Sequence, residues 1–445
     1  MNQYINSDTS NSHELLIKGD RLLSERRLDE AGACFEMILD QQPEALDALL
    51  RMAQVQLLQS RIDPCLATLD TAIEYHPHNA ELRFRRGTIL HSLGRFDEAR
   101  AIYHEAVSLQ PDHVPALLKL GSCCMALGDT EAAIRAYQGV VTIAGPVGRA
   151  LQDTRLPEAI RGDVELMHKT LTGKYRDLLE STRAYLRDKY PASELTRIDA
   201  ALAVLAGQRQ RAYEHPQQRP EFMYIPGLRP IPWFEREDFD WVQRVEDAFP
   251  EVRAELEALL PERSGFVPYI HGTQGQQAST PQGTDFSHLA GNLSWSAFHL
   301  HLKGRIADHC ERCPQTAALM DSLPLPEAEG WMPETFFSVL APGEHIIPHY
   351  GQMNGRLTVH LGLIIPPDCG ISVCGETRGW EEGKVLAFDD SFLHEAWNRS
   401  DADRAVLIFE VWHPDMSEAE IDGVQHFLTT RTRWLNEIIM DGGSG

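Results

Sequence analysis

The first third of the chain repeats itself with a period of 34 residues. Two columns of the repeat hold small residues and a third holds bulky ones: Gly19, Ala53, Gly87 and Gly121; Ala31, Cys65, Ala99 and Ala133; Phe35, Leu69, Tyr103 and Tyr137. Small residues let two helices approach closely, and the bulky residue fills the gap between them. Pro43, Pro77 and Pro111 close three of the units, where proline ends a helix. The period therefore predicts four helix–turn–helix units over residues 12–145.

The stretch LHSLGRFDEARAIYHEAVSLQPDH, residues 90–113, contains all of these columns and closely resembles a tetratricopeptide repeat. Arrays of such repeats hold a peptide or a partner domain in a concave groove, so the resemblance implies a protein or peptide partner. It says nothing about chemistry. Residues 146–215 keep a helical composition but lose the period. We interpret them as capping and linking helices, because the last repeat must cover its apolar face.

Charge and hydropathy narrow the classes of partner. The formal charge of −24 over 445 residues repels nucleic-acid phosphates and anionic membrane surfaces, so we expect no nucleic-acid partner. The N-terminal sequence MNQYINSDTSNSHELL has neither the basic nor the apolar region of a signal peptide, and no segment has the apolar length of a membrane span. We therefore expect a cytoplasmic protein without a membrane anchor, and eight cysteines that stay reduced.

The composition changes near residue 216 to one rich in proline, glycine and aromatic residues, which indicates a second domain over residues 216–437. One helix is predicted over WVQRVEDAFPEVRAELEALL, followed by the long polar loop GTQGQQASTPQGTDFSHLAGN. After Trp331, short β-rich runs recur at about ten-residue intervals, which is the spacing of an antiparallel sandwich or barrel. Residues 438–445 are predicted to be a flexible tail. The expected fold class is α+β, with a helical repeat array before a β domain.

Two histidines of the β domain have the surroundings of metal ligands. His349 in PHYG and His394 in DDSFLHEAWN lie near the ends of predicted strands, where side chains converge across a sheet. A pair of imidazoles leaves several coordination positions open, as a redox iron needs when an oxidant and a co-substrate both bind. A structural zinc would want four ligands, and no cysteine near His349 completes such a set.

Several segments together resemble the aspartyl/asparaginyl β-hydroxylase family. They are LSWSAFHLHLKGR, SVLAPGEHIIPHYGQMNGRLTVHLGLIIP, CGETRGWEEGKVLAFDDSFLHEAWN and RAVLIFEVWHP. The resemblance covers the domain 216–437 and is densest between Ser338 and Pro414. It implies a double-stranded β-helix, a jelly-roll fold, and an oxygenase that uses Fe(II), 2-oxoglutarate and O2. The best-known member of the family also carries tetratricopeptide repeats before its catalytic domain.

The resemblance implies a role for individual residues. His349 and His394 would bind the iron. Ser338 and Arg404 would hold the distal carboxylate of 2-oxoglutarate, and His360 would contact the end that chelates the metal. The alternative for Arg404 is a surface salt bridge with a neighbouring aspartate, because exposed arginine is the rule.

The third iron ligand is left open. Most oxygenases of this fold have a carboxylate two residues after the first histidine, and here that position is Gly351, as it is in the resembled family. Water is one candidate for the open position. Asp389 and Asp390 are two others, although FDDS favours a turn whose carboxylates accept backbone hydrogen bonds.

The strand LTVHLGLII alternates between two faces. Leu357, Val359, Leu361 and Leu363 share one face, and Arg356, Thr358, His360 and Gly362 share the other, which we expect to line the ligand cavity. Arg356 matches a family arginine associated with the substrate carboxylate or amide. Asn354 fits the family pattern of substrate contacts as well as it fits a capped turn before the strand. The family has a second arginine at the position of Thr358, so acceptance of an aspartyl carboxylate by this chain is left open.

The resulting hypothesis is a 2-oxoglutarate-dependent dioxygenase that hydroxylates a carbon, with the β-carbon of an Asp- or Asn-type residue in a protein or peptide as the first candidate. The repeat array would present that segment. The alternatives are a scaffold protein with an inactive oxygenase domain, or a hydroxylase of a small metabolite or a lipid acyl chain. A metal enzyme of another cupin type would need a carboxylate at position 351, and Gly351 argues against it.

Overall fold

The computed structural model describes residues 5–150, 158–270 and 285–440. It divides into two compact units, Met1–Gly173 and Lys174–Gly445. The second unit begins inside the segment 146–215 that the sequence predicts as capping and linking helices. Most of the predicted polar loop, and the DGGSG part of the predicted tail, lie outside the described residues.

The first unit is helical throughout its described part. Its helices are α1 (Ile5–Ser24), α2 (Leu28–Leu39), α3 (Leu46–Leu58), α4 (Ile62–Tyr75), α5 (Ala80–Ser92), α6 (Phe96–Leu109), α7 (Val114–Ala126) and α8 (Thr130–Ala150). Consecutive helices pack against each other, which confirms the predicted helix–turn–helix units. The division between the units falls within α9 (Glu158–Lys189).

The glycine and aromatic columns of the repeat are in direct contact. A Cβ atom at Gly121 would overlap the ring of Tyr137, and one at Gly87 would overlap the ring of Tyr103. Both rings are completely buried. The 34-residue period therefore reflects a packing rule, in which a backbone without a side chain receives an aromatic ring from the next helix.

The second unit combines helices with two antiparallel sheets. Its helices after α9 are α10 (Thr196–Leu205), α11 (Val242–Asp247), α12 (Phe249–Leu259), α13 (Ala307–Arg312), α14 (Pro314–Asp321) and α15 (Glu418–Met440). The single helix predicted over 241–260 is wrong in one respect, because the chain forms two helices that meet at Ala248. Pro250 lies in the first turn of α12, and it has no N–H to continue the hydrogen bonds of α11.

The strands form one large and one small sheet. They are β1 (Trp233–Phe234), β2 (Val267–Pro268), β3 (Trp295–Leu302), β4 (Glu334–Leu340), β5 (His345–His349), β6 (Arg356–Ile364), β7 (Cys369–Val373), β8 (Glu376–Arg378), β9 (Val385–Phe388), β10 (His394–Asn398) and β11 (Arg404–Trp412). The large sheet has the order β1-β9-β6-β11-β4-β3-β2 and the small sheet β5-β10-β7-β8. This β-rich domain after a helical repeat region confirms the predicted fold class.

The two faces of the large sheet have different neighbours. One face packs on α11 to α14 and forms the main core, to which Phe337, Leu361 and Leu407 belong. The opposite face packs on the small sheet, where Leu340 and Val406 meet Ile371 and Ala396. The predicted alternation along β6 is confirmed, since all four of its odd-numbered leucine and valine residues lie in the helix-covered core.

Two further expectations concern the whole chain. Among the described residues, no helix combines the length and the apolar character needed to span a membrane. All eight cysteines are free thiols, and six of them are buried.

We expect Gly121→Ala to destabilise the first unit by about 2 kcal/mol or more, because the added methyl group forces apart two packed helices. Gly162→Ala is the matched control, since Gly162 is also helical and nothing lies within 4 Å of an added Cβ. Alanine should stabilise that helix by up to about 1 kcal/mol. Urea unfolding of both variants measures the difference, and equal effects of the two substitutions would contradict the packing rule.

Candidate active site

A cavity of about 440 Å³ lies between the two sheets of the second unit. Its lining includes Ser338, His360 and Arg404 from the large sheet, and His349 and His394 from the small one. Arg356 lines it as well. The structure thus brings together six of the seven residues to which the sequence analysis assigns site roles.

His349 and His394 are direct neighbours on antiparallel strands. The two residues are paired across β5 and β10, and their ring centroids are 4.1 Å apart. Each ring is oriented by a backbone carbonyl, because Nδ1 of His349 lies 2.8 Å from the oxygen of Ile347 and Nδ1 of His394 lies 2.9 Å from that of Phe392. With each carbonyl accepting from Nδ1–H, Nε2 of each ring keeps its lone pair for a metal.

Burial keeps both imidazoles neutral. It lowers the pKa of His349 to about 3, with the neighbouring His394 adding to the effect. It likewise lowers the pKa of His394 to about 4. Neutral imidazole is the form that binds metal, so no proton competes for these nitrogens near neutral pH.

The aspartates of the FDDS segment separate into two roles. Asp389 is completely buried and accepts hydrogen bonds from the backbone N–H of Ser391 at 2.9 Å and from the amide of Gln218 at 2.8 Å. It is thus the turn residue that the sequence predicts. Asp390 instead lines the cavity, and its Oδ1 is buried with no hydrogen-bond partner among the described residues.

Gly351 leaves room for the Asp390 carboxylate. A Cβ atom at position 351 would overlap that carboxyl group, and the N–H of Gly351 donates to the Asp390 carbonyl at 2.7 Å. The Asp390 carboxyl group therefore occupies the space that an acidic side chain two residues after His349 would need. Among the described residues, no group of three or more His, Cys, Asp or Glu side chains is arranged to hold a metal.

Arg404 lies at the opposite end of the cavity from Arg356 on the large sheet. It is only 1% exposed, and its Nε and Nη1 have no hydrogen-bond partner in the described parts of the chain. The alternative of a surface salt bridge is wrong, since Asp403 pairs with Arg263 instead. Burial lowers the pKa of Arg404 to about 10, which leaves the guanidinium charged at neutral pH.

Two tryptophans hold the groups around Arg404. The Arg404 guanidinium lies 4.7 Å from the centroid of the Trp380 ring, and the indole N–H of Trp380 donates to Nδ1 of His360 at 3.1 Å. Trp295 donates to the hydroxyl of Ser338 at 3.2 Å. This part of the cavity therefore presents one buried cation, one hydroxyl and one imidazole. Burial lowers the pKa of His360, so this imidazole is neutral.

Arg356 is at the other end, among carboxylates. Its guanidinium forms a buried ion pair with Glu410. Burial opposes the charged form of Arg356, but Glu410, Asp390 and Glu334 together raise its pKa. Burial also raises the pKa of Glu334 to about 7, to which the negative charge of Glu410 contributes.

Asn354 is the predicted site residue that the structure places elsewhere. It does not line the cavity, and its amide clamps the backbone of Ile225 by accepting from the N–H at 2.7 Å and donating to the carbonyl at 2.8 Å. The substrate contact suggested for Asn354 is therefore replaced by a structural one that anchors the segment before β1.

Three further residues of the cavity region, Trp380, Glu334 and Glu410, are not among the site residues predicted from the sequence. Both glutamates follow from the strand period of two, since Glu334 shares a face with Ser338 on β4 and Glu410 shares a face with Arg404 on β11. Trp380 lies outside any strand, so its place beside Arg404 is not available from periodicity.

Comparison with known proteins agrees with this geometry. Residues 246–414 match the family model of aspartyl/asparaginyl β-hydroxylase, and residues 22–89 and 90–145 match a tetratricopeptide-repeat model. Residues 246–414, less than half of the chain, are therefore similar to the aspartyl/asparaginyl β-hydroxylase family. The tetratricopeptide repeats precede these residues, as the sequence predicts.

Three curated relatives of this chain have names that refer to different hydroxylases. The chain is 34% identical over 208 residues to aspartate beta-hydroxylase domain-containing protein 2 of Xenopus tropicalis, covering 46% of this chain and 53% of that protein. It is 34% identical over 200 residues to human aspartyl/asparaginyl beta-hydroxylase, covering 43% and 24%. It is 33% identical over 192 residues to ornithine lipid ester-linked acyl 2-hydroxylase of Rhizobium tropici, covering 42% and 63%. The chain thus spans about half the length, or less, of the first two.

The depressed pKa of His394 links the stability of the second unit to pH. Above pH 6.5 the imidazole is neutral in both the folded and the unfolded state. Below pH 6.5 the unfolded state binds a proton more readily than the folded state does. Folding stability is therefore lost as the pH falls from 6.5 towards about 4. On lowering the pH from about 7.5 to about 5, we expect wild type to lose about 2 kcal/mol more than His394→Gln, which lacks this group. Urea unfolding at both pH values measures this, and an equal loss in the two proteins would contradict it.

Proposed function

We propose that this protein is an Fe(II)- and 2-oxoglutarate-dependent dioxygenase that hydroxylates a carbon of a protein or peptide. The observation that carries the proposal is the buried Arg404, which lines the same cavity as the His349–His394 pair. Its Nε and Nη1 have no hydrogen-bond partner among the described residues. A desolvated guanidinium is costly unless an anion pairs with it, and the planar fork of arginine matches a carboxylate.

The donor set fits iron. His349 and His394 would supply two neutral nitrogen ligands, and the remaining coordination positions would be open to 2-oxoglutarate, O2 and water. Asp390 has a buried carboxylate oxygen without a hydrogen-bond partner in the described residues, so it is suited to accept a hydrogen bond from such a water. When bound, iron with 2-oxoglutarate and O2 supplies the chemistry that converts C–H to C–OH, with release of succinate and CO2.

The protein's own contribution is position and shielding. Arg404 and Ser338 would hold the distal carboxylate of 2-oxoglutarate, with the Trp380 ring under the guanidinium and the Trp295 indole fixing the hydroxyl. His360 is oriented by Trp380 and would face the metal-chelating end of the co-substrate. Burial of these groups excludes water, which strengthens each charge-assisted hydrogen bond.

The tetratricopeptide repeats support a protein or peptide as substrate. Repeat arrays of this kind are binding surfaces for peptides and partner domains. A second candidate is the hydroxylation of a lipid acyl chain. It is favoured by the aromatic lining of Tyr269, Phe286 and Phe336, and by the relative named as an ornithine lipid acyl hydroxylase. Mass spectrometry of peptide and lipid extracts after turnover, searching for the addition of one oxygen atom, distinguishes the two.

The iron site is tested by anaerobic titration with iron(II) and 2-oxoglutarate, observing the visible charge-transfer absorption of the chelate. We expect the band in wild type and its loss in His394→Ala. His345→Ala is the matched control, because His345 lies on the same strand as His349 but is 43% exposed and pairs with Glu395. A band of equal strength in wild type and His394→Ala would contradict the assigned ligands, and no band in wild type would contradict the iron-dependent function.

The co-substrate site is tested by Arg404→Met, which keeps the length of the side chain and removes its charge. We expect the affinity for 2-oxoglutarate to fall about 100-fold, because a buried charge-assisted pair is lost. Arg399→Met is the control. Arg399 lies 4.7 Å from the Trp397 ring, the same distance as between Arg404 and the Trp380 ring, but the Arg399 side chain is exposed to solvent. Unchanged 2-oxoglutarate affinity in Arg404→Met would contradict the assignment.

A further inference from the structure

We propose that the end of the cavity around Glu334 and Glu410 binds a positively charged group of the substrate, an alkylammonium or a guanidinium. This inference rests on the proposed function, because it assigns the polarity of the substrate in the same cavity. Its basis is the distribution of charge along the large sheet.

Acidic groups outnumber basic ones at this end. The cavity is lined by the carboxylates of Glu221, Glu334, Asp390 and Glu410, and by the guanidinium groups of Arg356 and Arg404. Arg404 and Glu410 are six residues apart on β11, which places them about 20 Å apart along the strand. Arg404 is therefore far from Glu410. Arg356, by contrast, lies close enough to Glu334, Asp390 and Glu410 to interact with their charges.

Strand register brings the carboxylates together. Thr358 lies opposite Glu410 on β6 and β11, and Thr335 lies opposite Phe409 on β4 and β11, so Glu334 comes next to Glu410 in the same row. Glu334, Glu410 and Asp390 all act electrostatically on Arg356. One guanidinium thus faces three carboxyl groups. Burial raises the pKa of each of them, so a cation bound beside them would favour their charged forms.

The ion pair with Arg356 does not satisfy Glu410. Glu410 is only 6% exposed, and its Oε2 has no hydrogen-bond partner among the described residues although it lines the cavity. An unpaired carboxylate oxygen in a buried position is costly, and a donor with a positive charge is the group that compensates it best.

Glu334 is more exposed to solvent than Glu410. Its side chain is 25% exposed, and its Oε1 lies 3.8 Å from Nδ1 of His299, which is beyond hydrogen-bonding distance. A flexible cationic chain can therefore reach Glu334 first and the buried Glu410 behind it. An aspartyl carboxylate in the same place would meet like charges on three sides, which is unfavourable.

The test measures the binding of matched probes to the full chain by calorimetry, with and without anaerobic iron(II) and 2-oxoglutarate. The probes are Nα-acetyl-lysine amide, its neutral analogue Nα-acetyl-norleucine amide, and Nα-acetyl-aspartate amide. We expect the lysine probe to bind about tenfold tighter than the norleucine probe, as one charge-assisted hydrogen bond provides. Free lysine and a pentapeptide with a central lysine then distinguish a small-molecule source of the cation from a peptide source.

Variants identify the groups responsible. Glu334→Gln keeps the shape of a partly exposed side chain, and we expect it to reduce the lysine preference by about fivefold. Thr358→Arg adds a guanidinium opposite Glu410, and we expect it to abolish that preference. Glu262→Gln is the control for net charge, because Glu262 is exposed and does not line the cavity; it should leave the lysine preference unchanged.

The possible outcomes separate this inference from the proposed function. Equal binding of the lysine and norleucine probes, tighter binding of the aspartate probe, or no binding of any cationic probe overturns the inference. A lysine preference that Glu334→Gln and Thr358→Arg leave intact also overturns it. If the lysine preference is found but no iron–2-oxoglutarate absorption forms, the dioxygenase proposal fails and the cation subsite stands.

Discussion

The two-residue alternation of β4, β6 and β11 is the constraint on which the structure of the second unit depends. On each strand one set of side chains enters the core under α11 to α14, and the other set faces the cavity. A slip of one residue in any of these strands would bury its polar set in the core and expose its apolar set to the cavity. The large apolar core therefore fixes the register, and the register fixes the positions of Ser338, His360 and Arg404.

This constraint explains why much of the site could be predicted from the sequence. The alternation in LTVHLGLII is complete, so the placement of His360 on the cavity face follows from strand geometry alone. The repeat period predicts the helical unit for a similar reason, since Gly121 and Tyr137 must occur at a fixed spacing to pack. Local periodicity predicts which face a side chain occupies.

Contacts between segments far apart in the chain could not be predicted in this way. Asn354 has two candidate roles in the sequence, and only the position of Ile225, more than a hundred residues earlier, decides between them. Asp389 and Asp390 are adjacent and chemically identical, yet Gln218 binds one while the space beside Gly351 admits the other. The environment of Arg404 depends on Trp380, which reaches it from outside the strands.

The cavity contains two buried groups of opposite charge, Arg404 and Glu410, and their separation along β11 keeps them from pairing with each other. In the part of the chain that the structure describes, Arg404 is buried with no hydrogen-bond partner for Nε or Nη1, and Glu410 pairs with Arg356 but has none for Oε2. Moving these two residues together would satisfy both through a salt bridge and would close the cavity to charged ligands. Because Arg404 and Glu410 are six residues apart on β11, they cannot form this salt bridge. Within the described ranges, hydrogen-bonding atoms of each side chain therefore remain free for a ligand. One strand thus carries both proposed subsites: Arg404, at the end near Ser338, for an anion, and Glu410, at the end near Glu334, for a cation.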